Sequence, residues 1–99
     1  MNNPEQVLNR TLHAVADPTR RRILDALKER GGCSLGKDVG LCASDIEVRV
    51  KLSQPTISHH MSILQRAGLV EAHKIGQWKW YRRNENALKE FARDLKEKL

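Results

Sequence analysis

The segment Ser53–Met61 concentrates side chains that could do chemistry. It reads Ser-Gln-Pro-Thr-Ile-Ser-His-His-Met, so hydroxyl, amide and imidazole groups follow one another closely. Such groups can hold a metal ion, act as acids, bases or nucleophiles, or form a surface that hydrogen-bonds to a polar partner. The spacing of these residues on the helix that we predict here decides among the three.

The two histidines are poorly spaced for metal binding and for catalysis. His59 and His60 are adjacent, so on a helix they point about 100° apart. Zinc-binding histidines on a helix stand four residues apart, and here proline, threonine, isoleucine and leucine fill those positions. No Asp or Glu lies within this helix to orient a catalytic histidine. We interpret His59 as part of a polar contact surface and His60, at the edge of the apolar face, as a hydrogen-bonded structural residue.

A helical wheel divides this segment into an apolar side and a polar side. Ile57, Met61 and Leu64 fall on one side and should face the core. The polar groups on the other side and in the first turn are Ser58, His59, Ser62, Arg66, Gln54 and Thr56. Short groups that donate and accept hydrogen bonds near a helix N-terminus suit base edges and phosphates. The segment therefore favours nucleic-acid recognition.

The composition also favours an anionic partner. The 99-residue chain carries 18 Lys and Arg against 12 Asp and Glu, a formal net charge of +6, which suits nucleic acid or an acidic membrane surface. The length is typical of one domain with a small core. No apolar run approaches the roughly 20 residues of a membrane span, and the N-terminus lacks a signal-peptide pattern. We expect a cytoplasmic protein whose two cysteines are free thiols at rest.

Periodicity and capping signals predict helices and one hairpin. The predicted helices run over about 4–16, from Asp17-Pro18 to about Arg30, from a Ser44/Glu47 capping box to about Lys51, from the Ser53 cap to Gly68, and from the Asn84 cap to Leu99. Val70–Ile75 and Trp78–Arg83 should be strands joined at Gly76-Gln77. The fold class is therefore mainly α with a small β-hairpin, in the order α-α-α-α-β-β-α. A short helix, a tight turn, a polar-faced helix and a basic hairpin make a winged helix-turn-helix.

Three motifs resemble the ArsR/SmtB family of small bacterial winged-helix repressors. They are Asp-Pro-Thr-Arg-Arg-Arg-Ile-Leu (17–24), Leu-Ser-Gln-Pro-Thr-Ile-Ser-His-His-Met (52–61), and Gln-Arg-Ala-Gly-Leu-Val (65–70) followed by Gly-Gln-Trp-Lys-Trp-Tyr (76–81). The resemblance implies a homodimer that holds double-stranded operator DNA and releases it when an inducer binds. It does not imply an enzyme, and the chain shows no nucleophile–base pair, phosphate-binding glycine loop or four-ligand metal motif.

The resemblance also implies a role for each part of the chain, taken as a single winged-helix domain over 1–99. The recognition helix would span about 53–67 and the wing about 70–83, and DNA binding would require no cofactor. Residues at the family's DNA-contacting positions are Gln54, Thr56, Ser58 and His59 in the major groove, and Lys74, Gln77, Lys79 and Arg82 at phosphates or the minor groove. The helices at about 4–16 and 85–99 each carry an apolar stripe that a domain this small has little room to bury, so we expect them to dimerise. The alternative is that the two helices pack against their own chain.

The two cysteines, Cys33 and Cys42, are the candidate inducer site. Arsenic sensors of one family type carry Cys-x-Cys-x-x-Cys before the recognition helix, and here only Cys42 remains of that motif. The family's other inducer site, on the C-terminal helix, is ruled out because that helix has no His or Cys. Paired thiolates suit arsenite, an organoarsenical or another thiophilic metal ion. Asp38, His13 or the partner subunit could supply a further ligand, although nothing in the sequence requires one. Two alternatives remain: a redox switch through a Cys33–Cys42 disulfide or persulfide, and two passive buried thiols.

Two further clusters have competing interpretations. Arg20-Arg21-Arg22 could clamp phosphates, but we favour a solvated face with some carboxylate pairing, because cations in a first turn oppose the helix dipole. Trp78, Trp80 and Tyr81 could stack on bases, but on alternating strand positions they more often pack against a core.

Overall fold

The computed structural model describes residues 3–28 and 40–99. Its elements are α1 (Pro4–Ala16), α2 (Pro18–Ala26), β1 (Leu41–Cys42), α3 (Ala43–Val50), α4 (Gln54–Arg66), β2 (Val70–Ile75), β3 (Trp78–Arg83) and α5 (Glu85–Lys98). The predicted order of helices and hairpin strands is confirmed, and β1 is an element that the sequence did not predict. None of the helices in these two ranges is long and apolar enough to cross a membrane.

Asp17 separates α1 from α2, as predicted. Its side chain accepts hydrogen bonds from the backbone N–H groups of Thr19 and Arg20, at 2.7 and 3.1 Å, and Pro18 takes the first helical position. The hydrogen bond from Arg20, joined by that from Thr19, holds the pKa of Asp17 below its ordinary value. At the other end, α2 stops at Ala26, so the predicted continuation to about Arg30 is wrong at Leu27 and Lys28, which form a turn.

The short helix α3 begins one residue before the predicted cap. Cys42 is the N-cap, and the Oδ2 atom of Asp45 accepts from both the backbone N–H and the Sγ–H of Cys42, each at 3.2 Å. The predicted Ser44/Glu47 capping box is therefore wrong, because Asp45 reaches the Cys42 amide first. The helix ends at Lys51, whose φ of 57° is left-handed and turns the chain toward α4.

The strand β1 turns the hairpin into a small sheet. The strand order is β1-β3-β2, all antiparallel, with Leu41 opposite Tyr81 and Cys42 opposite Trp80. Trp80 and Tyr81 point to opposite faces of β3, and both are buried. Both faces of the sheet are therefore covered at these two residues. The packing interpretation is confirmed for these two residues. It is wrong for Trp78, which is 60% exposed, because the hairpin extends past the body of the domain there.

The core is assembled around the apolar side of α4. Ile57, Met61 and Leu64 are all buried, as predicted, and they belong to one cluster with residues of α2, α3 and the sheet. Gly68 ends the helix at a φ of 76°, with Gly68 N–H bonded to the Gln65 carbonyl and Leu69 N–H to the Leu64 carbonyl. This pairing is the Schellman motif that glycine favours, and it directs the chain into β2.

The last helix has little contact with this core. No residue of α5 is buried; Leu88, Phe91 and Leu95 are partly covered, and Leu99 is 96% exposed. On the neighbouring helix α1, Val7 is 47% exposed. The apolar stripes predicted on these two helices are therefore partly covered within the described chain: Leu8, Leu12 and Val15 of α1 are partly buried, and only Leu99 of the C-terminal stripe is exposed.

Candidate nucleic-acid interface

The polar face of α4 is exposed. The side chains of all the predicted major-groove residues reach solvent: Gln54, Thr56, Ser58 and His59. Ser53, the N-cap, shares a hydrogen bond of 3.0 Å between its hydroxyl and the hydroxyl of Thr56. This pair orients the Thr56 hydroxyl at the start of the helix, where backbone N–H groups also face outward. Such a surface can donate to phosphates and exchange hydrogen bonds with base edges.

Arg20 supports this helix from behind. Its buried guanidinium donates from Nε to the Ala14 carbonyl at 2.7 Å and from Nη2 to the His13 carbonyl at 3.1 Å. These carbonyls belong to the last turn of α1, which has no further helical partner for them. The Nη1 atom lies 3.3 Å from Nδ1 of His60 on α4. One side chain of α2 therefore connects the end of α1 to α4.

The contact with Arg20 determines which ring nitrogen of His60 carries a proton. A guanidinium has no acceptor, so Nδ1 of His60 must accept, and the ring is neutral with its proton on Nε2. Burial lowers the pKa of His60 below its ordinary value; the Asp17 carboxylate opposes this effect, and the Arg20 guanidinium adds to it. The hydrogen-bonded structural role expected of His60 is confirmed, and its neighbour His59 remains exposed.

The arginine cluster serves the backbone. Arg20 is buried, so the solvated face predicted for the cluster is wrong for this residue, whereas Arg21 and Arg22 are exposed as predicted. The predicted carboxylate pairing is present, because Nη1 of Arg20 lies 3.8 Å from Oδ2 of Asp17. Arg21 Nη1 donates to the Val15 carbonyl at 2.7 Å, and Arg22 Nη2 donates to the Val50 carbonyl at 2.8 Å. The sequence could not reveal this use, because an arginine that binds carbonyls and one that is solvated look alike in a helical pattern.

The wing divides its charged residues between two faces. Lys74 lies directly opposite Lys79, so both project from one face of the hairpin. Arg82 lies opposite Glu71 on the other face. Gly76, at a φ of 62°, occupies the first position of a two-residue turn with Gln77, as type II′ turns require. The structure thus groups Lys74, Lys79 and Gln77 near the tip and leaves Arg82 apart from them, although all of these side chains are exposed.

Arg83 anchors the base of the wing, a role that the sequence analysis missed. Its Nε and Nη2 atoms donate to the carboxylate of Glu85, at 2.9 and 3.1 Å, and its Nη1 atom donates to the Leu24 carbonyl at 3.1 Å. The side chain therefore joins β3, the start of α5 and α2. The sequence did contain a signal for this ion pair, because Arg83 stands two positions before Glu85 at a predicted helix start.

Cys42 is buried at the junction of β1 and α3. Burial raises the pKa of its thiol, and the hydrogen bond to the Asp45 carboxylate favours the protonated form further. Within 3–28 and 40–99, no three residues of the His, Cys, Asp and Glu types are arranged to hold a metal ion. Cys33 and Asp38 lie outside the described residues, so the predicted pairing of the two thiols has no geometry here.

A helix-turn-helix with an exposed polar recognition helix, followed by a basic wing, defines a winged-helix DNA-binding protein. The family model described as bacterial regulatory protein, arsR family, matches residues 17–72. The chain therefore belongs to the ArsR family and is a DNA-binding transcriptional repressor of the winged helix-turn-helix type.

Individual relatives agree with this assignment. The transcriptional repressor SdpR of Bacillus subtilis is 39% identical over 83 residues, which cover 84% of this chain and 82% of SdpR. The arsenical resistance operon repressor of Staphylococcus aureus is 36% identical over 88 residues, 89% of this chain and 76% of the relative. The homodimeric winged helix-turn-helix domain of a possible ArsR-family regulator from Mycobacterium bovis superimposes with a TM-score of 0.68 at 28% identity, covering 87% of this chain and 72% of that domain. The two curated relatives are transcriptional repressors, not enzymes.

Proposed function

We propose that the protein represses transcription as a homodimer on a two-fold operator. In this proposal the recognition helix reads base edges in the major groove with Gln54, Thr56, Ser58 and His59, while Lys74, Gln77, Lys79 and Arg82 of the wing contact phosphates or the minor groove. The observation that carries the proposal is the joint exposure of these side chains on α4 and the hairpin. The net charge of +6 supports it, because phosphate neutralisation supplies much of the affinity for DNA.

Helices α1 and α5, which keep apolar side chains partly exposed, support the dimer. They contact each other, and apolar side chains from both remain partly or fully exposed, including Val7, Phe91 and Leu99. A second copy that covers this surface would enlarge the small core and place two recognition helices against one duplex. The Mycobacterium bovis relative is homodimeric, which is consistent with this arrangement.

A matched pair of glutamine variants tests the recognition surface. Gln54→Ala should weaken binding to a duplex that the wild type selects from a randomised pool by about ten-fold, since a lost side-chain contact to a base edge costs roughly 1–3 kcal/mol. Gln65→Ala makes the same change near the far end of α4, where the partly buried residue should matter little. Fluorescence anisotropy of the labelled duplex measures both affinities, and analytical ultracentrifugation of the complex counts the protein chains.

Two outcomes would contradict the proposal. Equal losses for Gln54→Ala and Gln65→Ala would mean that the start of α4 does not read the duplex. A complex with one protein chain would remove the homodimer. Wild-type affinity should also fall as salt rises, by roughly 0.9 log units per phosphate contact for each log unit of salt.

We further propose that an inducer acts through Cys42. The residue caps α3, and α3 packs against both α2 and the recognition helix α4. A ligand that binds the thiolate must displace the hydrogen bond from Cys42 Sγ to Asp45, and this would loosen the start of α3. Arsenite, an organoarsenical or another thiophilic metal ion suits that chemistry, and four of the relatives are named as regulators of arsenic or arsenical resistance, one of them as putative. The raised pKa of Cys42 means that binding also releases a proton.

Cys42→Ser should bind the selected duplex normally but resist release. Serine can cap α3 and can donate to Asp45, so the fold should survive the change. Wild-type protein would be titrated on the duplex with arsenite, phenylarsenoxide, zinc, cadmium and a mild oxidant in turn. Release by one thiophilic ion, abolished in Cys42→Ser, supports the proposal. Release by oxidant alone would replace it with a redox switch that includes Cys33, and a variant that still responds normally would exclude any sensing at Cys42.

A further inference from the structure

The tip of the wing carries an apolar pair that the DNA contacts described above do not use. Ile75 and Trp78 are directly opposed on the two strands, so both lie on one face of the hairpin. Ile75 is 51% exposed and Trp78 is 60% exposed. Trp80, two residues along the same face, is buried. The apolar pair therefore lies just beyond the point where the hairpin leaves the body of the domain.

The opposite face of the tip carries two cations. Lys74 and Lys79 are also directly opposed, and like charges in that position destabilise a sheet. Lys79 Nζ lies 5.7 Å from the centre of the Tyr81 ring, which offsets some of the repulsion. The hairpin's acidic residue, Glu71, lies on the other face, where it contacts His73 at 3.6 Å. Within the described chain no ion pair neutralises these two lysines, so an external anion would relieve their repulsion.

Only certain partners present anionic and apolar surfaces side by side at this scale. Along the minor groove of DNA, phosphates alternate with the apolar faces of deoxyribose, and proteins that bind this groove frequently bring apolar side chains into it. The tip offers a cationic face and an apolar face separated by the thickness of one hairpin. Since the wing follows the recognition helix directly, a tip that reaches DNA would bring both faces to the same groove.

We propose that Trp78 and Ile75 form an apolar contact with the deoxyribose wall of the operator's minor groove, while Lys74 and Lys79 pair with phosphates. This inference rests on the proposed function, because it requires that the wing meets DNA. The apolar contact would contribute a part of the affinity for DNA that does not depend on salt concentration. Lysine contacts release counterions and weaken as salt rises, whereas apolar burial does not.

The salt dependence of two variants separates these contributions. On the duplex selected by the wild type, Trp78→Ala should bind about ten-fold more weakly, as expected for uncovering part of a large aromatic side chain. Its slope of log affinity against log salt should match that of the wild type. Lys74→Ala should instead make the slope shallower by roughly 0.9, the effect of one lost phosphate contact. Trp78→Phe should bind within about three-fold of the wild type, because it keeps most of the apolar surface.

Tryptophan emission reports the contact directly. The chain has two tryptophans, of which Trp78 is 60% exposed and Trp80 only 3% exposed. Adding duplex to the wild type should shift or quench the emission of Trp78. Trp78→Phe leaves only the buried Trp80 and should lose most of that response while still binding. Because Trp78 is exposed, the urea midpoints of the variants should equal that of the wild type.

Each other outcome overturns part of this account. If the wild type binds its duplex but Trp78→Ala binds equally well and the emission is unchanged, the apolar contact is refuted and the proposed function stands. If Trp78→Ala also makes the salt slope shallower, the residue acts by placing the lysines, and the apolar contact is again refuted. A wild type that selects no duplex would overturn both proposals.

Discussion

Replacing Arg20 with methionine should destabilise the protein by about 3 kcal/mol, because buried carbonyls left without a donor cost roughly 1–3 kcal/mol each. The carbonyls in question lie at the end of α1: that of Ala14, whose hydrogen bond is buried, and that of His13, whose hydrogen bond is partly buried. Methionine fills much of the same volume, so the missing hydrogen bonds dominate the effect over any cavity. Equilibrium unfolding in urea measures the loss as a lower midpoint with an unchanged slope.

Arg21→Met is the matched control for this prediction. Arg21 also donates to a carbonyl of α1, that of Val15, at 2.7 Å, but it is exposed, so water can replace it. Its loss should cost under about 1 kcal/mol. Arg20→Met should also weaken operator binding under conditions where the protein stays folded, since His60 on α4 loses its partner. Equal destabilisation by the two variants would show that the buried hydrogen bonds of Arg20 contribute no more to stability than the exposed one of Arg21.

Gly40→Ala should cause a loss at least as large. Gly40 has a φ of 102°, which side chains rarely adopt, and a Cβ atom there would overlap the carbonyl oxygen of Tyr81. Backbone strain of this kind costs roughly 1–3 kcal/mol, and overpacking adds a similar amount, about 1–3 kcal/mol. Because Gly40 leads directly into β1, the strand should separate from β3 and uncover Trp80. A lower urea midpoint and a red-shifted tryptophan emission would record this change.

Gly76→Ala separates the cost of the positive φ from the cost of the steric clash at Gly40. Gly76 also has a left-handed φ, of 62°, but a Cβ atom there would meet open space. The variant should lose only about 1–2 kcal/mol, the ordinary cost of a left-handed residue. Similar losses at the two glycines would mean that the contact between Gly40 and Tyr81 is not tight in solution.

The features that could be predicted from the sequence are those encoded locally. The apolar stripe Ile57, Met61 and Leu64 repeats with the helical period, and the Asp17-Pro18 cap and the Gly68 stop are short signals whose physics is complete within one turn. These elements were therefore predicted correctly. The exposure of Gln54, Ser58 and His59 follows from the same wheel, because it is the complement of the buried stripe.

Other features depend on partners distant in the chain. The strand Leu41–Cys42 is too short for any periodicity, and it exists only because β3 lies beside it. Cysteine is not among the preferred caps, so the start of α3 at Cys42 became evident only with Asp45 in place. The exposure of Trp78 beside the buried Trp80 depends on where the hairpin leaves the body of the domain, and strand alternation carries no information about that.

β2 is an edge strand of the three-stranded sheet, and this affects how the protein behaves at high concentration. One side of β2 pairs with β3, and its other side offers unpaired backbone groups to any extended peptide. Glu71, His73 and Lys74 follow one another closely along that strand and are all exposed. Charged side chains on an edge strand discourage a second strand from pairing with it. The wing should therefore resist amyloid-type stacking even when a cell holds many copies of the chain.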